Sequence, residues 1–262
     1  ELYVGSNQLS GSIPVELAGL TSLTGLIIRY NALYTSGVDL IAFLNSKSPG
    51  WASTQTIAPE DVSATPLGGT TALVSWTPIP YQADPGGYIV SMSTTPGGPY
   101  TVAGQTADKT VAALNVTGLT PGTPYYFVVK THTDAHANNQ SILESEDSGE
   151  VSAATFAQLT IQGTVLSGGS PLSGVMMTGL PGSPVTDGSG VYQGTVDVGW
   201  SGSVTPVLLG YMFVPASRSY SGLAADQLNE NYEGTLAPTT ITLTDRRTPA
   251  RGRRSRSQWC AF

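Results

Sequence analysis

The sequence predicts a mainly β chain in which the end of a repeat solenoid is followed by two β-sandwiches in tandem. Only 11% of the 262 residues are charged, against about 25% in an average soluble domain, so charged helix formers are scarce. The 31 glycines and 18 prolines separate stretches rich in Val, Thr, Ile and Tyr, which are typical of strands joined by turns. No apolar run approaches the roughly 18 residues of a membrane span, so we expect no transmembrane segment.

Residues 1–33 carry an internal repeat. Positions of the same chemical type recur at a spacing of 24: Leu2, Val4, Asn7 and Leu9, then Leu26, Ile28, Asn31 and Leu33. Between them lies a G-x-I-P turn formed by Gly11, Ile13 and Pro14. This pattern resembles the leucine-rich repeat, in which alternate strand residues point inward and the asparagine bonds backbone groups. One repeat cannot bury its apolar face alone, so we expect further repeats before Glu1.

The outward residues of the two repeat strands form a candidate binding face. The spacing places Tyr3 beside Ile27, with Arg29 and Tyr30 farther along the second strand. Tyrosine and arginine are enriched at protein interfaces. The alternative is that these are ordinary exposed strand residues. We interpret both asparagines of the repeat as structural.

Residues 34–57 are predicted to close the repeats. Four apolar residues define one face of a short helix: Leu40, Ile41, Phe43 and Leu44. We expect Ser36 or Asp39 to cap the start of this helix and Pro49-Gly50 to end it. The segment resembles the C-terminal cap of bacterial leucine-rich-repeat arrays, with Trp51 packed on the last rung.

Residues 58–155 contain seven candidate strands separated by turn residues, which is typical of a sandwich. Alternation along the second strand places Trp76 in the core. Four residues match the turn and tyrosine corner of the fibronectin type III domain: Leu119, Pro121, Gly122 and Tyr125. The stretch resembles that family, which implies an immunoglobulin-like sandwich that binds partners or spaces other domains without doing chemistry.

The longest predicted loop of this sandwich runs from Thr131 to Ser148 and holds both histidines of the chain. His132, Asp134 and His136 lie within five residues and could ligate a metal, but we interpret the segment as a solvated loop and expect no metal and no cofactor. Two tripeptides match the glycosylation sequon and matter only in a source that glycosylates: those beginning at Asn115 and Asn139.

Residues 159–236 are predicted to form the second sandwich. The stretches 163–165, 171–175 and 186–192 resemble the carboxypeptidase-regulatory-like or collagen-adhesin B-type fold, which is transthyretin-like. The module contains no lysine, so a lysine–asparagine crosslink cannot form within it. Four aromatic residues are candidates for stacking on a sugar, with packing in the core as the alternative: Tyr192, Trp200, Tyr211 and Tyr220.

Residues 237–262 form a basic tail that we predict to be disordered. Residues 1–244 hold 17 acidic and 5 basic side chains, whereas residues 245–262 hold one acidic side chain and six arginines. We therefore expect no nucleic-acid binding by the acidic body. The tail contains Cys260, the single cysteine of the chain. It is either a basic anchor or the product of a truncation or frameshift.

No motif in the sequence predicts an active site, since G-x-S-x-G, P-loop and G-x-G-x-x-G patterns are absent. We therefore predict a non-catalytic bacterial protein, secreted or on the cell surface, that serves adhesion or protein–protein interaction. The repeats would recognise a protein or glycan ligand and the sandwiches would form a stalk. Two alternatives remain: the accessory region of a secreted polysaccharide-degrading enzyme, and a subunit that self-associates into an extracellular filament.

Overall fold

The structure is a computed structural model, and it describes residues 1–238. The predicted basic tail, except for Ala237 and Pro238, lies outside the described residues, and so does Cys260. Strands account for 43% of the described residues and helices for 8%, which confirms the prediction of a mainly β protein.

Residues 1–34 form two stacked rungs of parallel strands. The strands are β1 (Leu2–Tyr3), β2 (Ser10–Ser12), β3 (Leu26–Ile27) and β4 (Ala32–Tyr34). Strand β1 pairs with β3 so that Leu2 lies opposite Leu26, at the repeat spacing of 24 residues. Strand β2 pairs with β4 so that Gly11, and not Leu9, lies opposite Leu33. In this second strand pair the offset between partners is therefore 22 residues, two fewer than the spacing of the sequence repeat.

A helix closes the second rung. Helix α1 (Val38–Lys47) begins after Gly37 with no side-chain cap, so neither Ser36 nor Asp39 fills the predicted capping role. Its apolar face joins Trp51 and the second rung in one buried cluster, whose fully buried members are Ile13, Leu26, Ile28, Leu40, Leu44 and Trp51. The helix ends just before Pro49, as the sequence predicts.

Residues 60–154 form the first sandwich. Its strands are β5 (Glu60–Pro66), β6 (Thr71–Thr77), β7 (Gly86–Ser93), β8 (Thr101–Gln105), β9 (Ala113–Thr117), β10 (Pro124–Thr133), β11 (Leu143–Glu144) and β12 (Val151–Ala154). One sheet has the order β5-β6-β9, and the other β11-β10-β7-β8, with β12 also paired to β10. Trp76 is buried between the sheets beside Tyr88, at 5.0 Å between ring centroids. The hydroxyl of Tyr125 accepts a hydrogen bond from the amide of Thr120 at 3.0 Å, which is the tyrosine corner that the sequence predicts.

Residues 158–236 form the second sandwich. Its strands are β13 (Gln158–Ser167), β14 (Ser170–Pro171), β15 (Met176–Thr178), β16 (Val191–Asp197), β17 (Gly202–Val207), β18 (Tyr211–Val214), β19 (Arg218–Tyr220) and β20 (Tyr232–Leu236). The sheets have the orders β14-β13-β20-β18, with β16 also on β13, and β15-β17-β19. Tyr192 is buried in the core, and Trp200, Tyr211 and Tyr220 pack against it. The idea that Tyr192 offers its ring to a sugar is therefore wrong, because alternation along β16 turns that ring inward.

Candidate interaction surface

Tyr3 and Ile27 form an exposed apolar pair on the outer face of the rungs. They lie opposite each other in the β1–β3 register, and their exposed fractions are 56% and 48%. Their strand neighbour Leu26 points the other way and is buried, since alternate strand residues face opposite sides. The structure thus brings two of the predicted face residues together and leaves both accessible.

Two glycines let these side chains lie flat on the rungs. A Cβ atom at Gly5 would come within 2.8 Å of Ile27 Cγ2, and one at Gly25 within 2.9 Å of the Tyr3 hydroxyl. Each side chain therefore covers a glycine of the neighbouring rung. A larger residue at either glycine would displace the side chain that covers it.

Arg29 lies at the edge of the exposed pair and is held by the cap. Its Nη2 atom donates a hydrogen bond to the backbone carbonyl of Pro49. Gly50 follows with a φ of +76° and lies close to the same guanidinium. The side chain remains exposed, so its other donors face solvent next to the apolar pair.

Tyr30, the fourth predicted member of the face, lies elsewhere. It has a left-handed backbone with a φ of +57°, as does Ser6 at the equivalent position of the first rung. This conformation turns the chain off the strand, so the ring leaves the outer face and packs edge-on against Tyr81 and His136 at 6.2 and 5.9 Å. The assignment of Tyr30 to the binding face is therefore corrected: it belongs to the contact with the first sandwich.

A tight turn of the first sandwich joins it to both rungs. The backbones of His136 and Asn139 bond each other at 2.7 and 3.1 Å. From this turn, Nδ2 of Asn139 donates to the carbonyls of Asn7 and Tyr30, both at 2.9 Å. One amide group thus bonds the first rung and the second. We call this contact the Asn139 joint.

The Asn139 joint overturns two expectations for the loop at 131–148. Residues Thr131 to Thr133 belong to strand β10 and are buried, so the loop begins only after Thr133 and His132 is not part of it. Asn139 is only 3% exposed and its Nδ2 already donates two bonds, so the folded chain does not present that atom for glycosylation. Asn115, by contrast, is exposed on β9.

The histidines of this segment are held by separate partners. Nε2 of His136 lies 3.1 Å from Asp84, whose carboxylate also accepts a hydrogen bond from Tyr81. His132 is buried on β10, 2.9 Å from the amide nitrogen of Gln105. Among residues 1–238, no group of three or more His, Cys, Asp or Glu side chains is placed to hold a metal ion.

A buried lysine lies behind the Asn139 joint. Nζ of Lys109 donates to the hydroxyl of Thr133 at 3.1 Å and sits 4.3 Å from the centre of the Tyr81 ring. Thr133 in turn bonds Thr56, at the end of the cap segment, at 2.7 Å. Burial lowers the pKa of Lys109 to about 8, although the charges of Asp84 and Asp134 oppose the shift.

The lowered pKa of Lys109 should make the stability of the fold depend on pH. An unfolded lysine keeps its proton up to its ordinary pKa of 10.5, whereas the folded chain releases it near 8. Between these values the unfolded state binds more protons, so the free energy of unfolding rises with pH. We expect urea unfolding at pH 7 and at about pH 9.5 to show this rise, and Lys109→Met to abolish it. An equal rise in the variant would contradict the assignment.

The first sandwich belongs by its geometry to the immunoglobulin-like class of β-sandwiches, with facing sheets, a buried tryptophan and a tyrosine corner. Within that class, residues 57–144 match the family described as "Fibronectin type III domain", so the chain contains one such domain. No curated protein matches the chain. In residues 1–238, no helix has the length and apolarity needed to cross a membrane.

Several solved structures are similar to this part of the chain. The Fn3-like protein from Clostridium thermocellum is 30% identical and covers 37% of this chain and 90% of that chain, with a TM-score of 0.30. The FN5 domain of Drosophila Lar is 26% identical, and the match covers 38% of this chain and 96% of that domain's chain, with a TM-score of 0.28. The FN1-FN3 domains of chicken CNTN1 are 20% identical, and the match covers 38% of this chain and 32% of that chain, with a TM-score of 0.31.

Proposed function

We propose that the chain is a non-catalytic part of a secreted or cell-surface protein of bacterial type that binds another protein through the outer face of its repeats. Tyr3, Ile27 and Arg29 form this face. The observation that carries the proposal is the exposed apolar pair, which lies over two glycines and is flanked by the arginine that the cap holds. Aromatic, aliphatic and arginine side chains together are the composition of an interface centre.

The proposal assigns a separate role to each part of the chain. Residues 1–33 are the end of a leucine-rich-repeat array and residues 34–57 its cap, which the parallel pairing at a 24-residue offset supports. Residues 58–155 and the carboxypeptidase-regulatory-like module at residues 159–236 are the stalk. The Asn139 joint supports this division because it fixes the recognition face to the first stalk domain.

Surface plasmon resonance tests this function. The immobilised chain is exposed to a panel of purified extracellular proteins and to its own soluble copy. We expect at least one protein of the panel to bind, and Ile27→Asp to weaken that binding tenfold or more, because it places a charge at the centre of the face (about 1.4 kcal/mol per tenfold).

The control is Val102→Asp, which adds the same charge at a residue that is 68% exposed on β8 of the first sandwich. It should leave binding unchanged. An empty panel, or a partner whose affinity survives Ile27→Asp, counts against the proposal. Capture of the soluble copy alone would favour the filament alternative.

A further inference from the structure

A groove lies at the junction of the two sandwiches, far along the chain from the repeat face. It has a volume of about 580 Å³ and is open on one side. Ligand sites for small molecules span roughly 300–1,000 Å³ and combine apolar walls with a few polar groups. This groove has both, since the loop at 67–71 faces Phe156, Gln158, Asp197 and Trp200.

The walls of the groove are fixed to each other by hydrogen bonds. The Gly69 amide donates to Oδ1 of Asp197 at 3.1 Å, the Phe156 amide to the Gly68 carbonyl at 3.2 Å, and the Val198 amide to the Ala157 carbonyl at 2.8 Å. A Cβ atom at Gly69 would lie 2.8 Å from that same Oδ1, so glycine is what allows the close approach. The groove is therefore preformed.

The residues that line the groove include an accessible aromatic ring and polar side chains with free hydrogen-bonding atoms. Phe156 is 41% exposed. Among the described residues, Oδ2 of Asp197, the side-chain amide of Gln158 and the indole nitrogen of Trp200 have no hydrogen-bond partner. Trp200 packs against Tyr220 in a tilted arrangement, with 5.9 Å between the ring centroids and an angle of 42° between the planes.

We propose that this groove binds a neutral oligosaccharide or polysaccharide segment. The apolar face of a pyranose would stack on Phe156, while its hydroxyls donate to Asp197 and bond the amide of Gln158. Asp197 is the one charged group that lines the groove among the described residues. Its negative charge disfavours acidic polysaccharides and basic groups are missing from the lining, so a neutral sugar fits best.

Native gels containing laminarin, xylan, mannan or polygalacturonate test the proposal with the full chain. We expect at least one of the three neutral polysaccharides to retard migration and polygalacturonate to have no specific effect. Phe156→Ala and Phe156→Leu should each weaken retention about tenfold, Gln158→Ala should weaken it less, and Phe156→Tyr should retain it, because the ring is what stacks.

Leu209→Ala is the control, because this side chain is 99% exposed and does not line the groove. Circular dichroism melting verifies that each variant is folded. The proposal is overturned if none of the neutral polysaccharides retards the chain, if retention survives Phe156→Ala in a folded variant, or if polygalacturonate binds equally well. None of these outcomes depends on the repeat face, so the result is independent of the function proposed above.

Discussion

Replacing Asn31 by alanine is expected to lower the free energy of unfolding by about 3 kcal/mol. Its side chain is fully buried, and the two hydrogens of Nδ2 are shared among three carbonyls at 2.9 to 3.3 Å, those of Val4, Ile28 and Arg29. Its Oδ1 accepts from the Leu9 amide at 3.1 Å. Alanine removes these hydrogen bonds, at a net cost of roughly 1 kcal/mol each. The Leu9 amide loses its partner, whereas the carbonyls of Val4, Ile28 and Arg29 keep a second donor, from Asn7, Gln55 and the Ser6 amide respectively.

Asn7→Ala is the matched control, because Asn7 occupies the same repeat position 24 residues earlier. Its side chain is exposed and bonds only the nearby carbonyls of Val4 and Gly5, which water can reach. We expect Asn7→Ala to lower the free energy of unfolding by less than about 1 kcal/mol. Urea unfolding of both variants provides the measurement. Similar losses for the two would contradict the structural role assigned to Asn31.

Asn139→Ala should produce the second large effect, a fall of about 2 kcal/mol in the free energy of unfolding. The change removes both bonds of the Asn139 joint, to Asn7 and Tyr30, and leaves the partly buried carbonyl of Tyr30 in the second rung without its partner. Hydrogen exchange should accelerate at the amides of the rungs as well as in the turn, because the sandwich then holds the rungs through fewer hydrogen bonds.

Gln140→Ala is the control for the Asn139 joint. The neighbouring Gln140 side chain is exposed, and its amide donates only to the His136 carbonyl within the same turn. We expect a change within about 0.5 kcal/mol and no altered exchange in residues 1–34. If Asn139→Ala speeds exchange only within the turn, the joint does not couple the two parts of the chain.

The parts of the fold that the sequence predicts rest on short-range patterns. Strand alternation and the 24-residue repeat identify Leu26 as buried and Ile27 as exposed, because both follow from local backbone geometry. The turn before Tyr125 likewise identifies the tyrosine corner, which spans five residues. Each pattern is complete within a short stretch of chain.

The Asn139 joint could not be predicted in this way. Its bonds join residues 132 and 109 positions apart, and Asn139 itself shows in the sequence only as a possible sequon. Tyr30 was misplaced for a related reason, since strand alternation does not reveal the left-handed turn that moves its ring off the face. Long-range contacts between modules leave no periodic signal.

We expect the rungs and the first sandwich to unfold together as one cooperative body. ¹⁹F NMR of the chain labelled with 5-fluorotryptophan tests this most directly. Trp51 reports on the cap and Trp76 on the core of the sandwich. We predict that their native signals disappear at the same urea concentration and that Asn139→Ala separates them, because coincident transitions indicate one cooperative unit. Transitions that are already separate in the unmodified chain would contradict the account.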